Sequence, residues 1–363
     1  MADYARRLAK VQSLMAAEHV DYLLLTASPN TFYLTGISTI YDERMQLYIV
    51  PKSGGMVFIL PAMIHDFIEG LNQGQWDTHY WVDGERPAEM LSRYCRNPRR
   101  VAVDDMLLTQ HFLQILPFLS GVELLAADEI MKECRIFKDA DEISLLRQAG
   151  QLVDEVMGEI QPFLKEGVYE QDIAFKIEFM CKTKGAEAMA FNPIIAFGAN
   201  GANPHPGYTK TPLAKGQFIT MDFGARLGNY CSDITRTMCL GKATDEMKRV
   251  YDAVLAANRA GFAAAQLGVA CEDVDKAARD VITAAGYGPN FLHRTGHGIG
   301  IELHEESYIV AGNKRPIGEG MTFSIEPGIY LAGKMGVRVE DIVVATGQGP
   351  LSMNDFPREL IEL

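Results

Sequence analysis

Cysteine is scarce: the chain has six in 363 residues, and none forms a C-x-x-C pair. That excludes a disulfide framework and the common zinc-ribbon spacings, and it leaves small buried thiols in a reducing compartment as the expectation. Positive charge is also short. Lys and Arg number 34 against 47 Asp and Glu, for a net charge of −13. A nucleic-acid or anionic-membrane surface needs the opposite balance. The local basic run Arg93, Arg96, Arg99 and Arg100 reads as a solvated helix end and loop. Long apolar stretches are missing too. Glu18, His19 and Asp21 interrupt the N-terminal segment, so no secretory signal is expected. The uncharged run Tyr22–Tyr41 is broken by Ser28-Pro29-Asn30-Thr31, so it does not read as a membrane span. These absences together point to a cytoplasmic protein with no membrane or nucleic-acid partner.

What is present is an ordinary globular composition, 48% apolar and 22% charged, in a chain long enough for two domains. The first 130 residues alternate between helical and strand periods. A helix is expected at Tyr4–Glu18, with strands at Tyr22–Thr26, Gln46–Pro51, Met56–Leu60, Thr78–Val82, Val101–Val103 and Val122–Ala126. Ala88–Arg96 and Thr109–Leu119 read as helices between them. Such alternation predicts an α/β layer domain over residues 1–130. The segment Met131–Asp139 reads as a crossover. Asp139 or Asp141 then caps a long helix whose stripe is Leu146, Ala149, Val153, Val156, Ile160 and Phe163, ending near Gly167. Helices Thr244–Leu267 and Glu272–Ala285 follow, stopped by Gly268 and Gly286. With Gly-rich strand patterns around them, residues 136–363 predict an α+β domain, its helices covering one curved sheet.

The chemistry-bearing residues crowd into that second half. Two of its segments look alike, one starting at Gln217 and the other at Met321. Each is a β-rich run ending in a carboxylate, a Gly-containing turn, and a second run with another carboxylate. Asp222 and Asp233 are symmetric about Leu227-Gly228, and Glu326 and Glu340 about Gly333. If each segment is a hairpin turning at its midpoint, the two members of each pair face one another. Opposed like charges cost up to about 1 kcal/mol unless compensated. A pair of divalent cations would convert both repulsions into ligation, and carboxylate with imidazole suits Mn, Fe, Co or Zn. The apolar settings Ile219–Phe223 and Phe323–Pro327 make unpaired charges there expensive. His297, with glycine on both sides, is the candidate imidazole, because glycine permits close approach. His304-Glu305 follows seven residues later. His205 sits between two prolines in a rigid loop, a reasonable place for a substrate-facing donor.

The set Asp222, Asp233, His297, Glu326 and Glu340 resembles the five-ligand signature of the pita-bread metallopeptidases. The spacing from His205 to Asp222, the Gly-His-Gly-Ile-Gly stretch with His304-Glu305, the Ser-Ile-Glu-Pro-Gly block and Arg338-Val339-Glu340 resemble the proline-directed branch, prolidases and aminopeptidase P. The resemblance covers the whole chain and implies a non-catalytic N-terminal domain ahead of a creatinase/aminopeptidase-like catalytic domain. It implies two divalent ions, manganese first with Co, Zn or Fe as alternatives. Asp222 would serve the first metal, His297 and Glu326 the second, and Asp233 and Glu340 would bridge. His205 and His304 would contact the scissile carbonyl and its tetrahedral intermediate. Glu326 would shuttle a proton, and Arg338 would orient ligand or substrate. His293 has no such role and reads as structural. The implied substrate is a Xaa-Pro dipeptide or a short Xaa-Pro-Yaa peptide, and the implied assembly is a homodimer whose N-terminal domain restricts access to the cleft. In some archaeal prolidases the position four residues after the second histidine is an arginine that reads the dipeptide's terminal carboxylate. Here it is Tyr308, which leaves dipeptides and longer peptides both open. A same-fold hydrolase or lyase of a non-peptide substrate, or a catalytically dead binding protein, is the alternative. The complete ligand set argues against the dead form and against a metal-free amidinohydrolase.

Overall fold

The computed structural model describes residues 3–39, 43–72 and 74–363. The chain divides into two compact units, Met1–Arg135 and Ile136–Leu363. Among the described residues no helix is long and apolar enough to cross a membrane.

The first unit is built on a mixed six-stranded sheet. Its order is Asp77–Trp81, Val57–Pro61, Leu47–Pro51, Tyr22–Leu25, Arg100–Val103, Glu123–Ala126. Leu23, Leu24 and Leu25 are completely buried, as befits a central strand covered on both faces. Every strand read from the sequence is present within a residue or so at each end. The breaker Ser28-Pro29 turns out to start a helix, Pro29–Thr35. Proline at the first helical position gives up only an N–H that would have no partner there, and the Ser28 hydroxyl donates to Asp104 Oδ2 at 2.5 Å instead of capping. The segment read as a crossover likewise contains a helix, Asp128–Arg135, with acidic residues in its first turn and Lys132 and Arg135 in its last.

The second unit opens with the helix Ala140–Glu159. Its cap is Asp139, in a reciprocal capping box with Glu142. Leu146, Ala149, Val153, Val156 and Ile160 are buried, but Phe163 is 44% exposed. The helix gives way to a tighter turn at Gln161–Phe163, around Pro162, and Phe163 leaves the stripe to lie under the Lys176 ammonium. A helix at Glu170–Thr183 has no counterpart in the sequence reading. Its inner residues Ile173, Ala174, Ile177 and Cys181 are buried, while Phe175 and Phe179 are apolar yet exposed, which blurs the amphipathic signal.

In place of one curved sheet there are several short ones. A three-stranded sheet orders Ile234–Cys239, Phe218–Phe223 and Ile194–Phe197. A five-stranded sheet orders Glu305–Ile309, Gly296–Gly298, Thr322–Ile325, Asp341–Thr346 and Gly349–Ser352. A bridge from Thr235 to Glu340 joins the two. The helices Asp245–Ala264 and Cys271–Ala284 pack on each other and against this framework. From the first of them, the Asn258 amide donates to both Ile325 O (2.9 Å) and Val339 O (3.1 Å), tying together the two strands that end beside Glu326 and Glu340.

Candidate metal centre

The hairpin argument holds for one pair of carboxylates and is corrected for the other. Ile325 pairs with Asp341 and Gly328 with Arg338, so positions 326 and 340 stand opposite each other across a break at Pro327 and Val339. In the first hairpin Asp222 pairs with Thr235, not Asp233. The turn lies at Gly228-Asn229, where both residues adopt positive φ (55° and 64°), one residue beyond the symmetric midpoint. Asp233 falls in the gap between Tyr230–Cys231 and Ile234–Cys239, diagonal to Asp222. The displaced strand position goes to Thr235, whose hydroxyl donates to Glu340 Oε2 at 2.5 Å and accepts from Arg338 Nε at 3.1 Å.

All five residues nevertheless line one cavity of about 460 Å³, together with His205, His293, Arg294, His304 and Arg338. Ligand atoms of Asp233, His297 and Glu340 all lie within 4.8 Å of one another. His297 Nε2 is 3.6 Å from Asp233 Oδ2 and 3.4 Å from Glu326 Oε1. Asp222, Asp233, His297 and Glu340 are buried, and Glu326 keeps slight exposure. The His297 ring is fixed through Nδ1, which donates to Gly298 O at 3.0 Å and leaves the Nε2 lone pair facing the carboxylate cluster, available to a cation. Its glycine neighbours are required by the backbone: a Cβ at Gly296 would sit 1.8 Å from Ser324 O, and one at Gly298 2.3 Å from Glu306 O. Ser324 supports both sides of the site, accepting from His297 N and donating to Glu326 Oε1, each at 3.0 Å.

Three buried carboxylate oxygens lack any hydrogen-bond partner among the described residues: Asp222 Oδ1, Asp233 Oδ1 and Glu340 Oε1. Unpartnered carboxylate oxygens at this depth are costly unless a cation takes them up. With no cation, burial and mutual repulsion push Asp233 and Glu340 well above the usual carboxylate range, and burial pushes Glu326 up to about 7. Burial also lowers His297 to about 3, so its ring is neutral and able to ligate. Four acidic groups with one neutral imidazole and three orphaned oxygens fit a centre of divalent cations.

The surrounding groups are held tightly. Arg338 is fully engaged: it pairs with Asp222 Oδ2, donates to Tyr330 Oη at 2.7 Å, and reaches Pro204 O at 3.3 Å, which ties the His205 loop to the site. His205 and His304 are both exposed to the cavity, and the His304 ring meets the His297 ring edge-on at 4.3 Å. His293, read as structural, lines the same cavity and shares a 2.8 Å hydrogen bond with Tyr330 Oη. His293 and Arg294 lie outside the regular elements, and Tyr330 sits on the short strand Gly328–Leu331, whose pattern does not single it out. The one available clue was that His293-Arg294 directly precedes the Thr295-Gly296-His297 segment.

A two-unit chain whose second unit brings carboxylates from two sheets onto one imidazole is a metal-dependent hydrolase by class. Comparison with known proteins makes the class specific. Residues 144–347, more than half of the chain, match the model of metallopeptidase family M24, and residues 7–137 match the Creatinase/Prolidase N-terminal domain. The probable dipeptidase PepE of Mycobacterium tuberculosis is 37% identical over 99% of this chain and 96% of its own length. A prolidase from Thermococcus sibiricus is 35% identical, with TM-score 0.95 and full coverage of both chains. An Xaa-Pro dipeptidase from Bacillus anthracis is 27% identical, with TM-score 0.92 over 99% of this chain and 100% of that one. The chain belongs to metallopeptidase family M24, with a creatinase-type N-terminal domain and the pita-bread catalytic domain.

Proposed function

We propose that this chain is a metal-dependent dipeptidase that hydrolyses the peptide bond before proline in Xaa-Pro dipeptides. In this reading Asp222, Asp233, His297, Glu326 and Glu340 hold two divalent ions, manganese by preference, with Asp233 and Glu340 lying between them. The observation that carries it is the buried convergence of Asp233, His297 and Glu340 within 4.8 Å, surrounded by carboxylate oxygens that have no other partner. The names of the relatives favour a peptide over a non-peptide substrate.

When bound, such ions supply a nucleophile from water by lowering its pKa from about 15.7 towards 7, and they polarise the scissile carbonyl. The chain's own groups do the rest. Glu326 would accept the proton that the attacking water loses and pass it to the proline nitrogen as the C–N bond breaks. That nitrogen belongs to a tertiary amide and departs only once protonated. His304 is held neutral by burial and by the positive charge of Arg294, and it donates an N–H to the oxyanion, as does His205 from its Pro204–Pro206 loop. Arg338 fixes Asp222 and the His205 loop in register with each other. Phe191, Ile194 and Leu303 give the cavity an apolar wall for the pyrrolidine ring.

The test strips the purified chain with EDTA and restores Mn²⁺, Co²⁺ or Zn²⁺ one at a time. Ala-Pro turnover should vanish, return with added metal, and track two metal equivalents per chain. Full activity in the stripped protein would refute the assignment.

A further inference from the structure

His205 reaches the cavity on a loop, and the neck of that loop is closed by a single buried carboxylate. The strand Ile194–Phe197 begins at the cavity wall, and the chain returns at Thr209 beside the start of the helix Glu170–Thr183. There Gln171 N donates to Thr209 O at 3.1 Å and Glu170 N to Thr211 O at 3.2 Å. The Glu170 side chain is 1% exposed and is not part of the cavity lining. Its Oε1 accepts from Phe197 N at 2.8 Å and from Asn200 Nδ2 at 2.9 Å. Its Oε2 accepts from Thr209 N at 2.9 Å and from Thr209 Oγ1 at 2.5 Å. A carboxylate at this depth is costly unless its lone pairs are filled. Here four neutral donors fill them, two on the outgoing limb of the loop and two on the returning one. An acidic residue in the first turn of a helix commonly serves the positive end of that helix; this one gives its oxygens to the loop.

From the neck a chain of hydrogen bonds runs to the histidine. Asn200 O accepts from Asn203 N at 3.2 Å, and Asn203 Oδ1 accepts from His205 N at 3.1 Å. The far side of the loop is held from within the cavity, where Arg338 reaches Pro204 O, and the loop lies so close to the strand Met335–Arg338 that a Cβ at Gly336 would sit 1.7 Å from Gly201 O. We infer that Glu170 is a positioning residue: it fixes the separation of the two limbs of the 197–209 loop and thereby places the His205 imidazole for the scissile carbonyl. The inference rests on the dipeptidase reading for the role of His205 and deepens it. Glutamine at this position would keep the shape and break the clamp. Its one amide oxygen can serve Phe197 N–H or Thr209 N–H, and its NH₂ group, itself a donor, faces the other, so one limb loses its acceptor.

The test measures kcat and KM for Ala-Pro with the Mn²⁺-loaded full chain and its Glu170→Gln and Thr209→Val variants, each made on wild type and on His205→Ala. E170Q should lower kcat about 10- to 100-fold, with KM within about threefold and two metals retained, because a small misplacement of a reacting group costs that much. T209V removes one hydroxyl donor and keeps the carboxylate, so its loss should be about three- to tenfold; it carries the same cycle if E170Q does not fold. On H205A either change should cost no more than about twofold, since the clamp acts through the residue already removed. A loss that keeps its full size on H205A, a loss confined to KM, or metal lost together with activity overturns the inference. Hydrogen exchange by mass spectrometry reads the clamp without turnover: the 197–209 segment should exchange about tenfold faster in E170Q, while the 173–183 part of the helix stays protected. If wild type cleaves no Xaa-Pro peptide, the dipeptidase reading fails and exchange decides the clamp; unchanged exchange refutes it. If wild type cleaves Ala-Pro and E170Q does so equally well, the positioning role fails and the dipeptidase reading stands.

Discussion

Replacing Asp233 by asparagine should stabilise the metal-free protein while disabling the metal-bound one. Asp233 is 4% exposed, and its carboxyl is raised first by burial and then by Glu340, Asp222 and Glu326. Two unit charges 4.8 Å apart, the outer limit for Asp233 and Glu340 ligand atoms, repel by about 3.5 kcal/mol at an effective dielectric of 20. The protein avoids part of that cost by keeping a proton, so about 2 kcal/mol is a reasonable gain for D233N at pH 8. For a unit of this size that is a rise of about 4–8 °C in Tm. The sign with pH follows from linkage. A carboxyl raised in the folded state contributes stability that is fully present below its unfolded pKa and is lost as pH rises through its folded pKa. The D233N advantage should therefore grow between pH 5 and pH 8. His293 and His297, each lowered to about 3, pull the other way: their contribution is present above pH 6.5 and fades as pH falls. That contribution is common to both proteins, so the difference D233N minus wild type is the quantity to follow. The assay is thermal unfolding in EDTA at pH 5.5 and pH 8, with metal content and Ala-Pro turnover measured alongside. In EDTA D233N should melt higher, chiefly at pH 8; with Mn²⁺ added it should hold less metal and turn over little. A D233N protein that melts lower than wild type in EDTA at both pH values would refute the idea that these carboxylates are crowded for a cation.

Arg236 is buried and bonds Asp341 Oδ1 at 2.7 Å, Glu340 O at 2.5 Å and Phe356 O at 2.7 Å. Arg236→Met leaves Asp341 with only the Arg358 contact, so denaturant unfolding should show a loss of about 3–5 kcal/mol. On the proposed mechanism His304→Gln removes an oxyanion donor, so kcat should drop about 10²- to 10³-fold with two metals still bound by elemental analysis. Gly296→Ala pushes a methyl into Ser324 O, so soluble yield and metal content should fall together.

The cluster of carboxylates around His297 was legible in the sequence because charges in apolar strands are expensive and these four fall in two look-alike segments. Their exact facing was not, since symmetry places the turn at the midpoint of the carboxylates while the backbone places it where positive φ is tolerated. Gly228-Asn229 accepts that conformation, and the strand register follows the turn. The helices missed have a common origin. Pro29 was read as an interruption when it is a start, Asp128–Arg135 is only 8 residues long, and Glu170–Thr183 wears phenylalanines on its outer face. In each case the local pattern was outweighed by how the segment packs.

Residues that act through a partner were the least visible. Arg294 lies in the loop before the strand Gly296–Gly298 and Tyr308 on the strand Glu305–Ile309, 14 positions further on, and neither belongs to the candidate ligand motif. The sequence drew attention to Tyr308 as a missing cation. The fold instead stacks the Arg294 guanidinium on the Tyr308 ring, 4.2 Å from its centroid, a contact between a loop and a strand that no periodic pattern announces. Tyr308→Arg would remove that aromatic seat and bring two guanidinium groups together, so thermal unfolding should show a loss on the order of 1 kcal/mol. An unchanged melting temperature would show that the stack contributes nothing to stability.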